Sequence, residues 1–148
     1  MPFHFPLQAV LRFRESFERR ERQRLQAITR EVMKARQEYA DSKQERATAL
    51  VQAAKNLGQG MIGVELQFEL ACDRTRLRRV AGLAEQLVKL EQMRVRQLEE
   101  FRKAQQHRKI LENLRDHQLA AYRVIQDRRT QQELDEMFLM LHGGQGSG

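Results

Sequence analysis

Apolar residues recur at intervals of three and four along almost the whole chain, which is the spacing of one face of an α-helix. No proline or glycine interrupts this pattern between Leu7 and Leu57, and Pro6 suits the first turn of a helix. Within this first segment, five apolar residues follow the alternating three- and four-residue steps of a coiled coil: Leu25, Ile28, Val32, Ala35 and Tyr39. The pattern predicts a first helix over about residues 6–57.

Three of the 8 glycines fall in the segment "NLGQGMIG", Asn56 to Gly63. We expect Gly58 to end the first helix in a left-handed conformation, and the turn to occupy about residues 58–63. Apolar residues at helical spacing resume after it, which predicts a second helix over about residues 64–141. Residues 143–148 are expected to form a flexible tail.

Two long helices joined by a short turn fold back on each other, so the predicted fold is an all-α antiparallel coiled-coil hairpin within a single domain, residues 1–142. If the turn centres near Gly60, residue i faces about residue 121 − i, and the longer second helix overhangs beyond Leu114. The polar stretch Glu18 to Arg24 and a change of phase near Lys43 predict an irregular coiled coil with interrupted packing.

The densest apolar cluster lies near the end of the second helix, after eight residues without an apolar side chain. Its members are Leu134, Met137, Phe138, Leu139, Met140 and Leu141. An exposed apolar helix end indicates a partner interface, although packing back onto Phe3 and Phe5 is an alternative. Asp135 and Glu136 lie where the helix dipole disfavours carboxylates, which suggests a basic partner rather than a simply solvated pair.

Composition supports long, solvated helices: 32% of the 148 residues are charged, there are 2 prolines, and there is no tryptophan. The net charge of +7 suggests acidic partners, an anionic membrane surface or nucleic acid. Interspersed carboxylates and few aromatic residues argue against nucleic acid, and none is expected. We find no signal peptide and no membrane-spanning stretch, and a single cysteine, Cys72, fits the cytoplasm.

Few residues along the chain are candidates for a catalytic, metal-binding or phosphate-binding site. The four histidines do not share the spacing of metal ligands on a helix, and Cys72 has no evident base beside it. No glycine-rich phosphate-binding motif occurs, and a fold two helices thick offers no pocket of enzyme size. We therefore expect no enzymatic activity, no metal site and no cofactor.

Three segments in order resemble the flagellar FliJ family over nearly the whole chain. "FPLQAVLRFRE", Phe5 to Glu15, is similar to the family's start, where Phe-x-Leu leads into Leu-x-x-Arg. "LGQGM" matches its glycine-containing turn, and "RRTQQELDEMF", Arg128 to Phe138, resembles its polar C-terminal stretch with Asp-Glu before an apolar residue. The final "FLML" is more apolar than the family pattern.

The resemblance implies a helical hairpin of the flagellar type III export apparatus, similar to the central stalk of rotary ATPases. In the family, the end bearing both termini sits in the export ATPase hexamer, the other end reaches toward the membrane export gate, and export chaperones also bind. Carried onto this chain, the ATPase-ring contacts would be Leu134, Asp135, Glu136, Phe138 and Leu141. By position along the hairpin alone, Tyr39 and Phe68 would face the gate protein.

The function that the resemblance implies is a non-enzymatic stalk that promotes the ATPase hexamer and links it to the gate and to chaperones. Its expected location is the cytoplasm, peripheral to the cytoplasmic face of the cell membrane at the flagellar base. The free protein is expected to be a monomer. The alternatives are the equivalent stalk of a virulence type III secretion system, and a basic rod that binds nucleic acid or an anionic membrane surface.

Overall fold

A computed structural model describes residues 2–143. These residues form two α-helices, α1 (Gln8–Gly58) and α2 (Gly63–Gly143), which pack against each other, and they include no strand. The predicted all-α antiparallel helical hairpin is thereby confirmed. The predicted tail lies, from residue 144 onward, outside the described residues. No stretch of either helix, as far as it is described, is long and apolar enough to cross a membrane.

Gly60, rather than Gly58, provides the left-handed backbone of the turn. Its φ angle is 99°, whereas Gly58 is still the last residue of α1. The amide of Gly60 donates to the carbonyl of Leu57 at 3.2 Å, and the amide of Gln59 donates to the carbonyl of Lys55 at 3.2 Å. These bonds satisfy carbonyls that the end of α1 would otherwise leave unpaired. A side chain at position 60 would strain the turn, because other residues rarely adopt this φ.

Most side chains of α1 that are buried or half-buried follow one uninterrupted series of three- and four-residue steps. The series is Leu11, Arg14, Glu18, Glu21, Leu25, Ile28, Val32, Ala35, Tyr39, Ser42, Arg46, Ala49, Ala53 and Asn56. The predicted interruptions at Glu18–Arg24 and near Lys43 are therefore wrong. The helix keeps its coiled-coil spacing there, and polar residues occupy the packed positions.

The chain divides into two compact units, and the larger one comprises residues 19–102. Several of its packed polar residues are paired across the two helices. Gln97 donates to both the side chain and the backbone carbonyl of Glu21, and the guanidinium of Arg46 donates to both carboxylate oxygens of Asp73, at 3.0 and 3.3 Å. Within this unit, the pairing of residue 46 with residue 73 is close to the predicted register.

The other unit contains residues 2–18 and 103–143. Phe5, Leu11 and Ala104 are buried in it. Glu18 is also buried, with 3% of its surface exposed, and its carboxylate accepts a hydrogen bond from Arg108. Arg108 donates a second bond to Glu112 at 2.6 Å. A buried carboxylate is tolerated in this narrow interface because it has a cationic donor.

Glu91 on α2 links the two helices of the larger unit through its carboxylate. It accepts hydrogen bonds from Arg36 on α1 and, at 3.2 Å, from Arg94 on its own helix. The bond from Arg36 is the main cause that lowers the pKa of Glu91 below its ordinary value of 4.5, and Arg94 adds to it. Desolvation acts in the opposite direction but is outweighed. The charged form of Glu91 is therefore favoured in the folded protein.

We expect the contribution of Glu91 to stability to be present above pH 4.5 and to disappear as the pH falls through its lowered folded-state pKa. Glu91→Gln should melt at a lower temperature than the wild type at about pH 6, and the difference should diminish as the pH falls below 4.5 and through the lowered pKa of Glu91. The difference in melting temperature is measured by thermal unfolding followed by circular dichroism at each pH. Glu85→Gln, at an exposed position of the same helix, is the control. A Glu91→Gln difference that persists at the acid end would contradict the assignment.

Candidate functional site

The end of α2 extends well beyond its last packed residue. Gln126 is half-buried, whereas every residue from 127 to 143 is exposed. The predicted start of the overhang after Leu114 is wrong. The segment before α1 covers more of α2 than the helix lengths predict. The centroids of the Phe3 and Tyr122 rings are 5.6 Å apart, and Leu119 is half-buried. The overhang, residues 127–143, is thus shorter than predicted, and all of its residues are exposed.

Four apolar side chains of this overhang share one face of the helix. They follow the spacing i, i+3, i+4 and i+7: Leu134, Met137, Phe138 and Leu141. We call them the apical stripe. Leu139 lies off it, and Met140 lies at its border, next to Met137. All six apolar side chains between residues 134 and 141 are 56–78% exposed. The described residues therefore leave a continuous apolar surface available to a partner.

The two acidic candidates lie on different sides of the helix. Successive residues are rotated by about 100°, which places Asp135 next to Phe138 at the border of the apical stripe and Glu136 on the opposite face. The amide of Gln131 donates to Asp135 at 3.0 Å. Of the five predicted ring contacts, the helix thus brings Leu134, Phe138, Leu141 and Asp135 together and separates Glu136 from them.

The last turn of α2 is stabilised by its own side chains. The rings of Phe138 and His142 stack with their centroids 4.1 Å apart, and Nδ1 of His142 lies 3.2 Å from the carbonyl oxygen of Phe138. Such contacts satisfy a carbonyl that a helix end otherwise leaves to solvent. The alternative packing of this cluster onto Phe3 and Phe5 is absent among the described residues, because Phe3 lies against Tyr122 and residues 134–141 are all exposed.

The two predicted gate contacts differ in accessibility, and both belong to the larger unit. Tyr39 is a half-buried member of the packed series on α1, and the ammonium of Lys43 lies 5.1 Å from its ring centroid. Phe68 projects from α2 away from the packed positions and is 68% exposed. Phe68 therefore offers most of its ring to a partner, whereas Tyr39 offers only a small part.

The sequence analysis does not identify a second series of apolar residues on α2. It follows steps of four and three beside the packed face, with one step of seven across the position of Glu91: Leu77, Ala81, Ala84, Val88, Val95 and Leu98. Val88 and Val95 are exposed and border an open groove with Leu87. The signal is present in the sequence, but two adjacent apolar series on one helix resemble a single broad pattern.

Within residues 2–143, no three histidine, cysteine, aspartate or glutamate side chains come together in a way that could hold a metal ion. Cys72 is a free, half-buried thiol.

A protein-family model described as "Flagellar FliJ protein" matches residues 3–147, which is nearly the whole chain. Searches of curated proteins and of solved structures gave no significant match. The matched family is a non-catalytic component, and its helical character agrees with the hairpin described above. The chain belongs to the flagellar FliJ family and is a coiled-coil protein related to flagellar export.

Proposed function

We propose that this protein is the stalk of the flagellar type III export apparatus and that the overhang of α2 inserts into the export ATPase ring. The observation that carries the proposal is the fully exposed helix from residue 127 to residue 143, with the apical stripe on one face and Asp135 at its border. An exposed helix end with a continuous apolar face is typical of a surface that binds a partner.

Insertion would favour the ring through mass action. A protein that binds the assembled hexamer more tightly than the separate subunits shifts the equilibrium toward the hexamer. Burial of the apical stripe would supply affinity at about 25 cal/mol per Å² of apolar surface removed from water. Asp135 would pair with a basic surface of the ring, which fixes orientation more than it adds affinity.

Contacts with the membrane export gate and with export chaperones are proposed on the basis of the same family membership. Phe68 supports a contact with the membrane export gate because its ring is exposed and belongs to the larger unit, whereas the overhang belongs to the other. Export chaperones are proposed as further partners. The protein would then work in the cytoplasm, peripheral to the membrane at the flagellar base, as a monomer until it joins the ring.

The test is ATP hydrolysis by the cognate flagellar export ATPase, diluted until it is mostly dissociated, with and without this protein. The proposal expects a higher rate per ATPase subunit, together with a hexamer peak in mass photometry that appears only when the protein is added. Absence of both stimulation and co-migration would refute the stalk function.

The two carboxylates of the overhang should differ in their effect on the ring. Asp135→Lys, at the border of the apical stripe, is expected to weaken binding about tenfold, because it replaces an attractive charge by a repulsive one. Glu136→Lys, on the opposite face, should change the dissociation constant by no more than about twofold. Both are measured by titrating the labelled protein with the ATPase. Equal losses for the two variants would contradict the proposed orientation of α2.

A further inference from the structure

The end of the hairpin that contains the turn is almost free of charge. Between residues 47 and 64, Lys55 is the sole charged residue, in a chain in which 32% of residues are charged. Alanine, valine, leucine, glutamine and glycine fill most of this stretch. A solvent-exposed end of a soluble helical hairpin ordinarily carries many charges, because they keep it hydrated and prevent association.

Large aliphatic side chains at this end are exposed. The exposed fractions are 51% for Leu57, 61% for Ile62 and 74% for Val64. We call these three residues the turn cluster. Leu57 and Val64 are next to the last residue of α1 and the first residue of α2, and Ile62 lies in the turn between the two helices. An exposed aliphatic cluster at an extremity is suited to contact with an apolar medium or partner.

Basic residues follow the turn cluster on α2. Arg74, Arg78 and Arg79 are exposed, and none of them has an acidic partner within ion-pairing distance among residues 2–143. Nearby carboxylates are already paired, because Asp73 binds Arg46 and Glu69 lies 4.0 Å from Arg76. The three guanidinium groups are therefore available to external anions.

The apolar and basic side chains lie on the same outer face of α2. Steps of four and three residues lead from Val64 through Phe68 and Ala71 to Arg74 and Arg78. At 1.5 Å per residue, Arg74 lies about 15 Å and Arg78 about 21 Å from Val64 along the axis. A hairpin tilted onto a surface would bury the apolar residues first and bring the arginines to the same surface.

We propose that the turn cluster docks onto an anionic lipid surface, with Arg74 and Arg78 binding the acidic headgroups. The aliphatic character of Leu57, Ile62 and Val64 fits the boundary between headgroups and acyl chains, which amphipathic segments enter by about 5–10 Å. The contact is shallow, since no described stretch of helix can cross a bilayer. Charge complementarity selects anionic over neutral lipids, at about fivefold in affinity for each cation near the surface.

The binding test uses the full chain and sedimented vesicles without any other protein, so its outcome is independent of the stalk function. Vesicles of phosphatidylcholine with about 30% phosphatidylglycerol should bind the protein, and vesicles of phosphatidylcholine alone should bind it at least about tenfold more weakly. Ile62→Ser with Val64→Ser should reduce binding about tenfold. The matched control, Val88→Ser with Val95→Ser, removes exposed valines elsewhere on α2 and should retain binding.

Charge substitutions separate docking from general adsorption of a basic protein. Arg74→Gln with Arg78→Gln should weaken binding more than about tenfold, whereas Arg128→Gln with Arg129→Gln, which removes the same charge far along α2, should have little effect. Equal losses for these two double variants, or full binding by the Ile62→Ser, Val64→Ser variant, would overturn the proposal. Far-ultraviolet circular dichroism of each variant verifies that the exposed substitutions leave the helices formed.

A spectroscopic reporter locates the inserted residue directly, because the chain contains no tryptophan. Ile62→Trp should show a blue shift of its emission on vesicles with phosphatidylglycerol and protection from an aqueous quencher. Val88→Trp should show neither. Binding without a blue shift at position 62, or the same shift at position 88, would overturn docking through the turn cluster.

Discussion

Truncation after Arg129 should reduce ATPase stimulation to the basal rate while leaving the hairpin folded. The deletion removes the whole apical stripe and Asp135, and with them the surface proposed to enter the ring. Stability should change little, because every described residue it removes is exposed. We expect a shift in melting temperature of no more than about 3 °C, since exposed substitutions and deletions remove few packed contacts. Full stimulation by the truncated protein would refute the ring contact.

A substitution series distinguishes the apical stripe from general apolarity of the helix end. Leu134→Ser, Phe138→Ser and Leu141→Ser together should abolish stimulation. Leu139→Ser removes a side chain that is about as exposed but lies off the stripe, and it should retain most of the activity. The measurement is the hydrolysis rate at several stalk concentrations, together with mass photometry. Equal losses in both variants would show that orientation about the helix axis is irrelevant.

The helices and the turn are predictable from the sequence because they depend on local signals. The three- and four-residue spacing of apolar positions predicts both helices, and the glycines of Asn56–Gly63 predict their connection. The predicted packing irregularities are wrong because a packed position need not be apolar. Glu18, Glu21 and Ser42 are buried polar members of the packed series. The burial of Glu18 depends on a partner on α2, Arg108, which local patterning does not reveal.

The extent of the overhang depends on a contact that sequence spacing does not contain. The ring of Phe3 reaches Tyr122, so the segment before α1 covers a part of α2 that helix lengths alone would leave bare. The composition of the apical stripe, in contrast, follows directly from the sequence. The separation of Asp135 from Glu136 also follows from helix geometry, because adjacent residues of a helix point about 100° apart and do not act as one acidic pair.

Replacing Arg108 with alanine should destabilise the protein strongly. The variant removes the guanidinium that donates to the carboxylate of Glu18, a residue that is only 3% exposed, and it also removes a bond to Glu112. We expect a loss of about 2–4 kcal/mol in the free energy of unfolding, somewhat below the loss for a fully buried pair because Arg108 is partly exposed. This corresponds to a fall in melting temperature of roughly 5–12 °C.

The pH dependence of this effect has a definite sign. Desolvation lowers the pKa of Arg108, but hydrogen bonds and charges from Glu112 and Glu18 outweigh it and raise the pKa above the ordinary value of an arginine side chain. A raised folded-state pKa stabilises the protein at every pH below the ordinary pKa of an arginine side chain, and the contribution is lost only as the pH rises through the raised pKa. The difference between Arg108→Ala and wild type should therefore not diminish as the pH rises from neutral to about pH 9.

The double variant Glu18→Leu with Arg108→Leu tests whether the destabilisation comes from taking the Arg108 guanidinium away from a buried carboxylate. Removing both charges leaves an apolar contact at a packed position, and buried ion pairs replaced in this way are often neutral or stabilising by about 1–4 kcal/mol. We therefore expect the double variant to melt well above Arg108→Ala and at or above the wild type. Lys109→Ala, next to Arg108 but exposed, should melt within about 2 °C of the wild type. If Arg108→Ala behaves like Lys109→Ala, the pair contributes nothing to stability; if the double variant melts as low as Arg108→Ala, Arg108 stabilises the hairpin by packing rather than by neutralising Glu18.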